Sequence, residues 1–185
     1  VNESFPELVE VAKALPSGSI LDGELICWQQ DADAPLGFDQ LQRRLGRKNV
    51  GATLKRDCPM RFIAYDLLEH QGVDIRQQGL RQRQQQLAAL LGSIKHPESW
   101  RLKQSPSWSI DSWEELETQR NQARQHNAEG LMLKQAESPY LSGRKRGNWW
   151  KHKLEPMTLD AVLLYAQAGS GRRANLFTDY TFGLW

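Results

Sequence analysis

The apolar runs of this chain are short, and that limits what it can fold into: they come as strand-length pieces separated by turns and amphipathic helices. None approaches the roughly 20 apolar residues that a membrane-spanning helix needs. Pieces this short are buried only by pairing with one another and packing against helices. Ser19 to Gln29 reads as a strand with Ile20, Leu25 and Cys27 among its apolar positions. Asp22 and Glu24 lie two residues apart within it, which sets two carboxylates side by side on one face. Met60 to Leu68 reads as a second strand, and Glu129 to Lys134 as a short apolar strand with a charge at each end. Trp149 to Glu155 alternates so that Lys151 and Lys153 project to the same side, and Pro156 ends it. Two further strands, Leu159 to Tyr165 and Ala174 to Phe182, flank Gly169-Ser170-Gly171-Arg172-Arg173. That joint reads as a hairpin turn, because a phosphate loop opens a helix and Leu176-Phe177-Thr178-Asp179-Tyr180 is rich in strand formers.

Helices are expected between these strands. Ser4-Phe5-Pro6-Glu7 has the form of a capping box, followed by Leu8 and Ala12 at helical spacing. Phe38, Leu41 and Leu45 mark a helix that stops at Gly46, and a Lys/Arg-bearing link follows it. Arg76 to Leu91, rich in Gln and Arg with Leu80, Leu87 and Leu91, predicts an amphipathic helix with a wet outer face. Ser112-Trp113-Glu114-Glu115 is a second capping box, opening a helix that runs to about His126.

A chain of 185 residues with 39% hydrophobic and 25% charged residues can bury one core and the start of another. Cys27 and Cys58 are far apart and outside any CxxC pattern, so they are expected as reduced core thiols rather than zinc ligands. The first residues lack the basic and apolar blocks of a signal peptide, which points to the cytoplasm. A net charge of +2 and a pI near 8.6 are too mild to establish a nucleic-acid partner. Distribution says more. Between Lys134 and Lys153 lie Arg144, Lys145, Arg146, Lys151 and His152, opposed only by Glu137, and the same stretch holds Trp149 and Trp150. Alone, such a run is a solvated surface loop. The chain stops at Trp185 inside an apolar run, as expected of a fragment.

Leu21-Asp22-Gly23-Glu24-Leu25, Phe62-Ile63-Ala64-Tyr65-Asp66-Leu67-Leu68, Glu129-Gly130-Leu131-Met132-Leu133-Lys134 and Trp150-Lys151-His152-Lys153 carry the chemistry. Strand carboxylates suit a hard cation such as Mg²⁺, which takes one or two of them together with nucleotide phosphates. An aromatic on a neighbouring strand can stack on a base, and lysines from two further strands can neutralise phosphates and their transition state. Taken singly each residue has a plainer role: Tyr65 in a core, Asp66 structural, Asp22 bonded to a neighbouring turn, Trp149 and Trp150 packing. Joint occurrence favours a metal-assisted nucleotidyl-transfer site.

In this order these segments resemble motifs III, IIIa, IV and V of the covalent nucleotidyltransferases, and specifically the ATP-dependent DNA ligases. The stretch from Leu159-Asp160-Ala161-Val162 to Tyr180-Thr181-Phe182 is similar to bacterial multidomain ligases whose OB domain begins in this way. The resemblance implies an α+β fold with a mixed, mostly antiparallel sheet. Residues 1–156 would be the later part of an adenylation domain and 157–185 the first strands of an OB-fold domain. It implies that Glu24 and Glu129 hold the metal or ribose, that Tyr65 stacks on adenine, and that Lys134, Lys151 and Lys153 contact phosphates. Arg144, Lys145 and Arg146 would meet DNA. ATP and Mg²⁺ are the implied cofactors, nicked duplex DNA the partner, and a soluble monomeric enzyme of replication, repair and recombination the parent. The Lys-x-Asp-Gly motif of such enzymes, whose lysine carries AMP, does not occur in this sequence; Lys55-Arg56-Asp57-Cys58 follows motif III and has Cys in place of Gly. The fragment is therefore expected to be inactive alone. An RNA ligase or capping guanylyltransferase shares the motif order, and a non-catalytic nucleic-acid-binding module would also accommodate the Arg144-Lys145-Arg146 cluster and the missing lysine.

Overall fold

The computed structural model describes residues 2–143, 145–156 and 158–185. They fall into two compact units, Val1–Leu154 and Glu155–Trp185. The first is α+β, with mixed sheets and no barrel.

The first unit is organised around its longest strand, β2 (Met60–His70). β1 (Ile20–Cys27) runs antiparallel along one edge of it. On the other edge lie β3 (Val73–Asp74), antiparallel, and β4 (Leu102–Gln104), parallel. Helices α1 (Pro6–Ala12) and α4 (Leu80–Ser93) cover the sheet, each through apolar positions at helical spacing. Phe5, Leu8 and Val11 pack with Cys27, Cys58, Met60 and Leu102 in one cluster. Leu87 and Leu90 pack with Ala64, Leu67 and Ile75 in the other, and Leu15, Phe62 and Leu91 touch both. Both cysteines are free core thiols, buried in the sheet–helix interior, and burial pushes the Cys27 thiol up to about 11. β5 (Gly130–Lys134) and β6 (Trp149–Lys153) form a separate antiparallel pair backed by α5 (Trp113–Gln122).

The second unit is an antiparallel pair, β7 (Val162–Ala168) and β8 (Phe177–Gly183). Its joint carries a short 3-10 turn at Gly171–Arg173 in place of a phosphate loop. Among the described residues no helix is long and apolar enough to cross a membrane.

Several local expectations are corrected. The first capping box does not form: Phe5 is the N-cap, the Ser4 hydroxyl donates instead to the Arg47 carbonyl (2.8 Å), and Glu7 is drawn to Arg44. The helix opened by Phe38, α2 (Phe38–Gln42), stops short of Gly46, because Arg44 turns fully inward to donate to the Ser4 and Cys58 carbonyls and pair with Glu7 at 2.8 Å. The Lys/Arg-bearing link contains a further helix, α3 (Ala52–Asp57). α4 begins at Leu80, not Arg76, and its face is not wet throughout. Arg83 is fully buried, with Nε and Nη2 on the two Asp66 oxygens at 2.7 and 2.8 Å. The second capping box does form, with Ser112 Oγ accepting from the Glu115 amide at 3.1 Å.

Removing one partner of a buried pair strands the other charge without solvent. Arg83→Met is expected to lower unfolding free energy by about 3–5 kcal/mol in a urea titration, and Asp66→Leu added to it to recover much of that loss.

Candidate active site

The site is built where the β5–β6 pair meets the central sheet, and it starts from an irregularity in strand pairing. Asp22 lies opposite Asp66, but the next residue, Gly23, lies opposite Ala64, so Tyr65 is an extra residue on β2. Such a bulge re-aims a side chain. Gly23 is required beside it: a Cβ there would sit 2.4 Å from the Ile63 carbonyl oxygen. The re-aimed Tyr65 hydroxyl donates to Asp22 Oδ1 at 3.2 Å. Tyr140, in the connection between β5 and β6, donates to Asp22 Oδ2 at 2.7 Å. Asp22 is thus engaged on both oxygens, whereas Glu24 stays exposed.

Register sets the cations. Lys134 pairs with Trp149, Met132 with Lys151 and Gly130 with Lys153, and antiparallel partners share a face. Lys134, Lys151 and Lys153 therefore project from one face. Leu131, Leu133, Trp150 and His152 occupy the other, where His152 Nε2 lies 2.7 Å from Glu117 of α5. That outer face also carries an open depression of about 630 Å³ bordered by Trp113 and Trp150. Gly130 makes the close pairing feasible: its φ is +138°, and a Cβ would lie 2.3 Å from the His152 carbonyl oxygen.

Lys134 reaches from this face to the central sheet. Its ammonium sits 4.4 Å from the Tyr65 ring centroid and 4.0 Å from that of Trp149. Trp149 in turn meets Tyr140 edge to face at 5.6 Å. Among the described residues no carboxylate contacts Lys134; burial lowers its proton affinity while Asp66, Asp22 and Glu24 raise it from farther off. A partly desolvated cation with only ring faces for company suits an incoming anion. Glu129 is exposed and pairs with Lys153 at 2.7 Å, which with the Lys151 charge holds its carboxyl below the usual range.

The sequence-derived residues thus fall into two groups. Tyr65 and Lys134 are in contact and Glu24 lies near enough to influence both, while Glu129, Lys151 and Lys153 share the far end of the β5–β6 face. Lys145 and Arg146 are exposed in the β5–β6 connection, and Arg144 lies outside the described residues. Among the described residues no three acidic, His or Cys side chains cluster as a ready metal cage. Exposed Glu24 and Glu129 nonetheless offer the hard oxygen donors that Mg²⁺ takes singly or in pairs beside nucleotide phosphates. Tyr140 is the residue that sequence reasoning missed, since nothing in its spacing links it to a carboxylate 118 positions away.

Burial, followed by the bond to Asp22 and its charge, pushes the Tyr140 phenol up to about 12. Tyr65 is raised in the same direction, again mainly by burial and then by Asp22. Below the ordinary phenol value of 10.0 both states keep the Tyr140 proton; above it the unfolded chain loses it first, so stability falls as pH rises from 10.0 to about 12. Phenolate absorbance followed in alkaline titration is expected to show this delayed ionisation, with Asp22→Asn bringing it part of the way back.

Residues 1–153 match the family model described as the ATP dependent DNA ligase domain. A probable DNA ligase of Koribacter versatilis is 34% identical over all of this chain, which covers 35% of that relative. The DNA ligase of Haloarcula marismortui is 33% identical over 97% of the chain and 31% of its own length. The chain thus spans about a third of the length of these relatives. Among solved structures, a Lig E DNA ligase superposes with a TM-score of 0.67 over 93% of this chain and 60% of its own, at 21% identity, a likeness of fold. The ligase domain of M. tuberculosis LigD superposes with a TM-score of 0.58 at 26% identity, over 80% of this chain and 42% of its own. With its family model covering most of its length and these folds around it, the chain belongs to the ATP-dependent DNA ligase domain family.

Proposed function

We propose that the full-length protein carrying this chain is an ATP-dependent DNA ligase that seals nicks in duplex DNA. One observation carries this reading beyond family membership: Lys134, Lys151 and Lys153 share one strand-pair face, and its Lys134 end lies on the ring of Tyr65 beside Asp22. A base platform and a row of phosphate-binding cations are what nucleotidyl transfer requires of a protein.

In this mechanism a lysine outside the present residues attacks the α-phosphorus of ATP and pyrophosphate leaves. The 5′-phosphate at the nick then takes AMP from that lysine, and the 3′-hydroxyl displaces AMP to form the phosphodiester. Tyr65 holds adenine by stacking, while Lys134, Lys151 and Lys153 neutralise charge on the transferring phosphoryl group. Glu24 and Glu129 would hold Mg²⁺, which supplies further charge neutralisation on the phosphates when bound. For Glu129 this means exchanging its bond to Lys153 for the metal, which frees that ammonium for phosphate. Arg144, Lys145 and Arg146 add a sequence-independent attraction to the DNA backbone.

Residues 1–156 are proposed as adenylation domain and 157–185 as the opening strands of an OB-fold domain. The parent would act as a cytoplasmic monomer in replication, repair and recombination.

Intact-mass measurement tests this reading. Full-length protein incubated with ATP and Mg²⁺ is expected to gain one AMP and pass it to a nicked duplex. Glu129→Ala should slow that transfer at least about tenfold, as losing a transition-state contact does, with affinity for the duplex unchanged or slightly raised by the lost negative charge. Failure of the wild-type protein to take up AMP would overturn the proposal.

A further inference from the structure

Tyr140 makes a contact that the reaction as described leaves unused. Its hydroxyl reaches Asp22 Oδ2 at 2.7 Å across 118 residues, from the β5–β6 connection to the central sheet. The same carboxylate accepts from Tyr65. On its other side the Tyr140 ring meets Trp149 edge to face, Trp149 carries the Lys134 ammonium, and Lys134 closes back on Tyr65. These contacts form a closed circuit: Tyr65, Asp22, Tyr140, Trp149, Lys134. Within it Tyr65 and Asp22 belong to one sheet, while Trp149 and Lys134 belong to the other. Tyr140 is the polar link between them, and its backbone amide is itself anchored on the Arg76 carbonyl at 2.8 Å, ahead of α4. The circuit therefore fixes how far the Lys134 ammonium stands from the Tyr65 ring.

We propose that Tyr140 is a positioning residue for the nucleotide: through Asp22 it sets the spacing between the base platform, Tyr65, and the phosphate-binding cation, Lys134. The inference rests on the nucleotide-site reading above. It also assigns Asp22 a role distinct from that of Glu24. With both oxygens engaged by phenols, Asp22 works as the joint of this circuit, and Glu24 is the carboxylate open to a ligand. ATP bridges the two ends, so a change in their separation weakens the binding of the whole nucleotide more than that of either half.

Tyr140→Phe in the full-length protein removes the hydroxyl and leaves the ring against Trp149. With enzyme-AMP formation as the assay, the KM for ATP is expected to rise roughly tenfold, the usual size for a lost bond to a charged acceptor, while kcat falls less than about twofold. Inhibition by adenosine and by tripolyphosphate, measured separately, should each stay within about twofold of wild type. Asp22→Asn should raise the KM in the same direction, and combining it with Tyr140→Phe should multiply the effect by much less than the product of the two, since one bond is shared. An unchanged KM in Tyr140→Phe overturns the proposal, as does a loss of adenosine or tripolyphosphate inhibition equal to the change for ATP. Independent effects of the two substitutions overturn it as well. These failures are separable from failure of the ligase reading, in which the wild-type protein takes up no AMP.

Discussion

The buried pair between Asp66 and Arg83 is the constraint on which the rest of the first unit depends. An arginine enters an apolar interior only if its donors are met, and here they are met from separate parts of the chain. Nε and Nη2 engage Asp66 on β2, while Nη1 donates to the Gln78 carbonyl ahead of α4 and to the Ser138 carbonyl in the β5–β6 connection. The guanidinium thus joins the central sheet, its covering helix and the connection that leads from β5 to β6. Backbone bonds from Arg81 to Ala136 and from Tyr140 to Arg76 reinforce the same seam. Asp66 is the immediate neighbour of Tyr65, so the junction that organises the core also fixes the base of the site.

Much of this was legible in the sequence, because strand alternation and motif order are local properties. That Lys151 and Lys153 share a face followed from spacing alone, whereas the strand pairing that brings Lys134 onto the same face did not, and Cys27 and Cys58 were read correctly as core thiols. What escaped was set by tertiary contact. Arg83 sits in a Gln/Arg-rich segment whose polarity signals a solvated face, and only a fully buried acceptor reverses that reading. Arg44 likewise shortens a helix whose apolar spacing continued to Leu45. Ala52–Asp57 is too short to show periodicity. Tyr140 had no motif to mark it; its partner is distant in sequence and its role depends on how two sheets meet.

The cations of the site are held in contrasting ways. Lys153 is paired with an exposed carboxylate, in contact with water, where the bond costs little to exchange. Lys134 is partly desolvated between two rings, and its charge is balanced only at a distance. In the proposed site, a phosphate at Lys153 would replace one anion with another, whereas at Lys134 it would satisfy a charge that the folded protein leaves poorly compensated. The same strand face therefore offers both an adaptable end and a committed one.

The extra residue at Tyr65 also bears on how this site can vary. Across the bulge the alternation of side chains along β2 shifts by one residue relative to that along β1. Shortening β2 by one residue there would restore regular pairing at this point of the ladder and would carry the aromatic away from Asp22. Length at this point is thus under tighter constraint than identity: another aromatic can stand at the position, but a more regular strand cannot present one.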